Sequence, residues 1–195
     1  MEFWFSIGST YSYLSVMRLR EVVAATGIAF DWQPFNVRAI MREMDNIPFA
    51  NKPVKATYMW RDIERRSKLY GLTPQLPAPY PLKELELANR VAIVAKTEGW
   101  IEDYAVAAYR YWFEHGEPAG SEPNLTKSIA ASGRKATSVI DAANAPEAHS
   151  ALEAATNTAR KLGIFGSPTF VVDREIFWGD DRLDDAIDWR RSNGE

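Results

Sequence analysis

The sequence predicts an α/β fold in which two short β-rich segments, one near each end of the chain, enclose a long helical block. Three observations support this fold class. The aromatic, β-prone run Glu2–Ile7 closes at Gly8, as a buried strand followed by a tight turn would. Long amphipathic stretches then extend from about residue 36 to residue 160. Strand-like sequence returns after Gly163.

The opening segment is typical of a β-α-β unit. After the first strand, Ser9 or Thr10 is expected to cap a helix that ends near Gly27. Alternating apolar residues over Ile28–Phe35 predict a second strand. Two such strands normally pair in parallel through a right-handed crossover.

The middle and end of the chain continue this pattern. The main predicted helices cover 58–70, 81–97, 101–114 and 136–162, the last with an interruption around Pro146. The runs 168–173 and 175–178 predict a hairpin that turns at Asp173-Arg174, and a short terminal helix follows. The element order βαβ, helices, ββα matches a thioredoxin-like fold with a four-stranded sheet. We expect one domain over 1–195 with a helical insertion at about 37–162.

Composition argues against several functional classes. A formal charge of −3 and a pI near 5.6 provide no basic field for nucleic acid. No apolar run reaches the roughly 18 residues of a membrane span. The N-terminus lacks a basic signal region, so we expect a cytoplasmic protein without membrane or nucleic-acid partners. His115 and His149 lie in separate segments, and no metal site is predicted.

The chain contains no cysteine, so any sulfur chemistry would need a sulfur that a ligand brings. Ser9 is expected near a helix N-terminus, where unpaired N–H groups favour an anion. Its hydroxyl could donate a hydrogen bond to a thiolate and so favour ionisation of a bound thiol. The alternative is that Ser9 only caps the helix.

Two further segments contain backbone or side-chain groups that could bind a ligand. In Gly163–Phe170, Pro168 opens a strand and is a candidate for a cis peptide bond, and Ser167 before it would offer backbone groups to an extended, peptide-like ligand. The alternative is an ordinary turn proline.

In Trp178–Arg182, free helix N–H groups suit a carboxylate, and Asp180 or Asp181 suits an ammonium. The alternative there is capping with a surface ion pair.

Together these segments resemble the 2-hydroxychromene-2-carboxylate isomerases and kappa-class glutathione transferases, which have thioredoxin folds related to bacterial disulfide oxidoreductases. The resemblance covers almost the whole chain. It rests on F-x-x-x-S-x-x-S-Y-L from Phe5, on G-S-P-T from Gly166 and on W-G-D-D-R from Trp178, in the family's order. The segment Tyr58–Arg65 is also similar to a family Y-x-x-x-D-x-x-R stretch.

The resemblance implies that glutathione is the cofactor and that Ser9 contacts its sulfur. It further implies a glutathione site formed by Ser167, Pro168, Trp178, Gly179, Asp180 and Asp181, and a substrate site that includes Asn51, Lys52 and Tyr80. Lys52, or alternatively Lys55, would hold a substrate carboxylate. Met41 stands where some isomerases have a basic residue, and Thr10 and Lys83 replace common proline and asparagine residues. The changes at Met41 and Lys83 concern the choice of substrate, whereas Thr10 alters the stiffness of the turn after the first strand.

The activity that the resemblance implies is interconversion of 2-hydroxychromene-2-carboxylate and trans-o-hydroxybenzylidenepyruvate, a step in aromatic catabolism, through reversible addition of the glutathione thiolate. The partners would be glutathione and a small aromatic or conjugated carboxylate, with a homodimer possible through the helical region. Two alternatives stay open. One is a kappa-like transferase or peroxidase that acts on another electrophile, and the other is a thioredoxin-like binding module without catalysis.

Overall fold

The computed structural model describes residues 1–47, 49 and 51–193. Its sheet has four strands in the order β2-β1-β3-β4. These strands are β1 (Glu2–Phe5), β2 (Asp31–Pro34), β3 (Thr169–Val172) and β4 (Glu175–Trp178). β1 runs parallel to β2 and antiparallel to β3, and β3 pairs antiparallel with β4. The two ends of the chain therefore meet in one sheet, and the predicted thioredoxin-like fold class is confirmed.

The helices occupy the connections and the C-terminal end. They are α1 (Ser12–Thr26), α2 (Val37–Glu43), α3 (Pro53–Leu69), α4 (Leu85–Thr97), α5 (Ile101–His115), α6 (Asn124–Ala131), α7 (Ala136–Asn144), α8 (Pro146–Leu162) and α9 (Leu183–Asn193). Thus α2 to α8 all lie between β2 and β3, where the sequence predicts the insertion. The short helices α2 and α6 were not among the main predicted helices. None of the helices in the described residues is long and apolar enough to cross a membrane.

β1 is buried on both faces, which explains its continuous aromatic sequence. Phe3 and Phe5 point to one side, where Phe3 packs edge-on against Trp32 at 4.9 Å between ring centroids. Trp4 points to the other side and packs against Phe35. A strand that is covered on both faces has a continuous apolar sequence, without the alternation of apolar and polar residues that a half-exposed strand shows. Because β1 lies inside the sheet, between β2 and β3, its position also determines where the turn after it lies.

The helical insertion holds that turn in place. Asn89 of α4 is fully buried; its Oδ1 accepts from the Ile7 N–H at 2.9 Å, and its Nδ2 donates to the Ile7 carbonyl at 2.9 Å. The hydroxyl of Tyr109 in α5 lies 3.0 Å from the Ser6 carbonyl and 3.1 Å from the Ser9 carbonyl. Buried polar groups paired in this way are costly to disturb. The insertion therefore positions residues 6–9 directly.

The hairpin turn has the predicted location. Asp173 and Arg174 join β3 to β4, and both have positive φ, at 48° and 75°. Two consecutive residues of this kind match the twist of a two-residue hairpin. The turn brings Trp178, the last residue of β4, back beside Pro168 at the start of β3, where the Gly179 N–H donates to the Pro168 carbonyl at 2.9 Å.

Candidate active site

Ser9 and Ser167 meet at the centre of the site. The Ser9 hydroxyl donates to the Ser167 carbonyl at 2.7 Å, and Ser9 Oγ accepts from the Ser12 N–H at 3.4 Å. The α-helix proper begins at Ser12 with Tyr11 as its N-cap, so the predicted cap at Ser9 or Thr10 lies one or two residues too early. The reason is a tighter first turn, in which the Tyr13 N–H donates to the Thr10 carbonyl. Ser9 therefore caps that turn.

The loop before β3 has the cis peptide bond that the sequence suggested, between Ser167 and Pro168. Ser167 is only 8% exposed, and its Oγ accepts from the Ser6 N–H at 2.9 Å. The expectation that both backbone groups of Ser167 are free needs correction, since Ser9 occupies the carbonyl. Among the described residues, the Ser167 N–H has no hydrogen-bond partner. A peptide-like ligand could pair with that group.

Two adjoining cavities open at this point, and four residues line both of them: Tyr11, Tyr58, Ser167 and Trp178. One cavity, of about 510 Å³, is bordered by charged groups and is called the polar cavity below. The other, of about 610 Å³, has mostly apolar walls, includes Ser9, and is called the apolar cavity. Both volumes lie in the range of small-molecule sites, roughly 300–1,000 Å³.

Trp178 and Gly179 form one wall of the polar cavity. The Trp178 ring packs edge-on against Phe165, with centroids 4.9 Å apart. It also lies directly over Gly166, where an added Cβ would collide with the indole. Gly179 has φ of 115°, and an added Cβ there would lie 2.5 Å from Asp181 Oδ1. An added Cβ at Gly166 would therefore displace the Trp178 ring, and the backbone of Gly179 has a conformation that favours glycine.

The two aspartates of the motif have different environments. The Asp180 side chain is 1% exposed and accepts from Ser15 Oγ at 2.9 Å, Arg18 Nε at 3.2 Å and the Tyr70 hydroxyl at 3.1 Å. These contacts satisfy its carboxylate inside the protein. The Asp181 side chain is 43% exposed and pairs with Arg182 at 3.2 Å on the surface. Only Asp181 has a carboxylate that is accessible to an incoming ammonium group.

A charged network on α3 faces the polar cavity, and the sequence pattern identified it only in part. Asp62 accepts from the Tyr11 hydroxyl at 3.1 Å. Burial, followed by the nearby Asp62 carboxylate, raises the pKa of Tyr11 well above its usual value, so this hydroxyl stays protonated. The family-like pattern ends at Arg65, whereas Arg66 is the arginine that lines the cavity, 3.7 Å from Asp181. Both arginines lie within one turn of Asp62 and pair with it, so the helical period alone does not distinguish them.

One of the three predicted substrate positions lines the apolar cavity, and the other two lie outside its described lining. Tyr80 lines the cavity, and burial raises its pKa. Asn51 and Lys52 are exposed at the start of α3 and do not line the cavity as its described residues define it. Lys52 Nζ donates instead to the Ile47 carbonyl at 3.1 Å. Lys55, one helical turn later, is the lysine that reaches the cavity.

Helix α2 contributes two residues that were not predicted from the sequence, Arg38 and Arg42. Arg38, Met41 and Arg42 all line the apolar cavity. Arg38 precedes Met41 in the sequence and Arg42 follows it, so a cation lies on each side of this apolar residue. This seven-residue segment lies in the predicted helical block but was not among its main helices, so these side chains were not assigned to one helix face. Across the described stretches of the chain, no group of three or more His, Cys, Asp or Glu could hold a metal ion.

Comparison with known proteins gives a consistent result at modest identity. The chain is 26% identical over 186 residues to a 2-hydroxychromene-2-carboxylate isomerase of Sphingobium xenophagum, covering 94% of each protein. It is 25% identical over 187 residues to an isomerase of the same name from Pseudomonas putida, covering 94% of this chain and 90% of the relative.

Solved structures show the same fold. A 2-hydroxychromene-2-carboxylate isomerase superposes with a TM-score of 0.85 at 22% identity, over 98% of this chain and 96% of the other. The cytosolic disulfide reductase DsbM from Pseudomonas aeruginosa, in a structure with GSH, superposes with a TM-score of 0.63 at 16% identity, over 98% and 95% of the two chains. The model of the DsbA-like thioredoxin domain matches residues 1–188. The chain belongs to the DsbA-like thioredoxin domain family.

Proposed function

We propose that this protein is a glutathione-dependent isomerase that interconverts 2-hydroxychromene-2-carboxylate and trans-o-hydroxybenzylidenepyruvate. One observation carries the proposal: a polar cavity that suits a charged tripeptide shares a wall with an apolar cavity that suits an aromatic ring. Ser9 lines the apolar cavity and is hydrogen-bonded to Ser167, which lines both. The names of the curated relatives support the reaction type.

Glutathione fits the groups that border the polar cavity. The unpaired Ser167 N–H can pair with the peptide backbone, as an added strand would. The Asp181 carboxylate is accessible to the α-ammonium group, and Arg66 is a donor for a carboxylate. Asp180 would act indirectly, by holding α1 and α3 against the start of α9 through Arg18 and Tyr70.

Bound glutathione would supply a thiolate that adds reversibly to the conjugated substrate, so that one double bond becomes single, rotates and reforms as the thiolate departs. The ligand's amide N–H would replace Ser9 as donor to the Ser167 carbonyl, since a carbonyl in an extended segment readily accepts a strand-like partner. The Ser9 hydroxyl would then turn to the sulfur and stabilise its charge. The walls of the apolar cavity would orient the substrate and exclude water.

The test is conversion of purified 2-hydroxychromene-2-carboxylate, followed chromatographically with glutathione, with S-methylglutathione and with neither. We expect turnover only with glutathione, which should be recovered unchanged. S-methylglutathione should bind, because it keeps every charged group, and should support no turnover because it lacks the thiol. Turnover without glutathione would reject the mechanism. A stable thioether product would identify a transferase instead, and binding without any chemistry would identify a binding module.

A further inference from the structure

The apolar cavity has an unusual charge pattern for a protein of net charge −3. Its described lining includes three cationic side chains, from Arg38, Arg42 and Lys55, and no Asp or Glu. Arg42 and Lys55 are solvent-exposed, whereas Arg38 is half-buried. A cation at a surface is solvated by water at little cost, but a partly buried one needs a partner. Arg38 is therefore the cation whose position requires an explanation.

Arg38 lacks the partners that a buried guanidinium normally has. Its one hydrogen bond within the described chain joins Nη1 to the Leu82 carbonyl at 3.5 Å, and it forms no ion pair within 4.0 Å there. An arginine side chain has five N–H donors, so about four remain available. Burial lowers the pKa of Arg38, and the nearby cation Arg42 acts in the same direction, while Tyr80 and the exposed Glu86 act against them. The desolvation of the charged form is thus only partly compensated.

The surroundings of Arg38 indicate what would compensate it. Met41 lies on the same short helix, and Phe49 and Tyr80 pack edge-on with centroids 6.0 Å apart, so an apolar surface adjoins the guanidinium. A flat ring can lie against this surface while a carboxylate attached to it accepts two parallel hydrogen bonds from Arg38. Neutral substrates would leave those donors desolvated and unpaired, which disfavours their binding.

We propose that Arg38 binds the substrate carboxylate and that the apolar cavity selects aromatic or conjugated acids over their neutral analogues. This assigns to Arg38 the role that the sequence suggested for Lys52 or Lys55. The inference rests on the proposed function for the reaction in question, but the preference for a carboxylate is a property of the cavity itself. It can therefore be measured without glutathione and without turnover.

The experiment measures binding of 1-naphthoate and of its neutral analogue 1-naphthamide to the full chain by calorimetry. The wild-type protein should bind the acid more tightly. Arg38→Met keeps the length of an apolar stem and removes the charge, so affinity for the acid should fall about 10- to 100-fold while that for the amide changes less than about twofold. Arg42→Met and Lys55→Met are the matched controls and should each lower acid affinity by less than about threefold.

Equal losses for acid and amide in Arg38→Met, or a larger loss of acid affinity in Lys55→Met, would overturn the inference. Arg38→Lys provides a second variant should Arg38→Met fold poorly: it keeps the charge and loses the paired donors, so an intermediate acid preference is expected. Glutathione affinity should be unchanged in all four variants. If the acid preference depends on Arg38 but no glutathione-dependent turnover is found, the proposed function fails and this inference stands.

Discussion

The Ser9 hydroxyl donates to the Ser167 carbonyl across 2.7 Å and joins segments that are 158 residues apart in sequence. This hydrogen bond commits the only proton of the hydroxyl to the protein. The bond is short and well formed, yet it can be exchanged, because a ligand N–H that reaches the same carbonyl releases Ser9. The Ser9 hydroxyl is thus held in place before a ligand arrives, and the substitutions below test its proposed role as donor to a thiolate.

Ser9→Ala should raise the pKa of the bound glutathione thiol by about one to two units, since a hydrogen bond to a charged group contributes about 1.5–3 kcal/mol. A higher pKa means less thiolate at neutral pH, so turnover should fall about 10- to 100-fold there, with the deficit shrinking as the pH rises. Ultraviolet absorbance of the thiolate, titrated with glutathione bound, measures the shift directly.

Ser12→Ala is the control, because the Ser12 hydroxyl lies in the same cluster but pairs with Ser167 Oγ at 2.8 Å. It should reduce stability by about 1 kcal/mol and leave the thiol pKa unchanged. A Ser9→Ala deficit of the same size at every pH would contradict a role in stabilising the thiolate.

Asp180→Asn should mainly reduce stability, whereas Asp181→Asn should mainly reduce glutathione affinity. Asp180→Asn removes the charge that pairs with Arg18, so the free energy of unfolding should fall by about 3 kcal/mol, measured in urea. Asp181→Asn, at an exposed position, should lower stability by less than about 1 kcal/mol but weaken glutathione binding about tenfold. If the two variants lose stability and affinity in parallel, the division of roles between them is wrong.

Local sequence was sufficient to predict the elements that meet at Ser9 and Ser167, because strands, turns and a proline all have short-range sequence signals. The role of Asp180 had no such signal: Ser15, Arg18 and Tyr70 come from two distant helices, and only the tertiary fold brings them to one carboxylate. Arg38 was missed for a related reason, since a helix as short as α2 shows little periodicity.

Gly166→Ala should separate binding from stability. Its Cβ would collide with the Trp178 indole, which is 53% exposed and can move outward at little cost. Stability should change by less than about 1 kcal/mol, whereas glutathione affinity should fall about tenfold as the cavity wall is displaced. Gly99→Ala is the reverse case: its φ of 79° makes the change strained, and its Cβ meets no atom within 4 Å.

That control should lose about 1 kcal/mol or more of stability and bind glutathione normally. Calorimetry and urea unfolding on the same preparations give both quantities. Normal glutathione binding by Gly166→Ala would show that the Trp178 ring is not a wall of the ligand site.

Buried tyrosines should make the protein sensitive to alkaline pH. Burial raises the pKa of Tyr104 and of Tyr109 far above the usual 10.0. Because the folded state then holds protons that the unfolded chain releases, their stabilising contribution is complete below pH 10 and is lost progressively as the pH rises above it. Each such group should steepen the fall in unfolding free energy by up to about 1.4 kcal/mol per pH unit.

Tyr104→Phe and Tyr109→Phe should each reduce that slope by up to about 1.4 kcal/mol per pH unit, measured by urea unfolding at several pH values above 10. They should differ in activity, because Tyr104 donates to the Ala88 carbonyl within the helical layer, whereas the Tyr109 hydroxyl lies at the Ser6 and Ser9 carbonyls. Turnover should survive in the first variant and decline in the second. Slopes equal to that of the wild type would mean that these hydroxyls ionise inside the folded protein, and equal activity would mean that Tyr109 does not position Ser9.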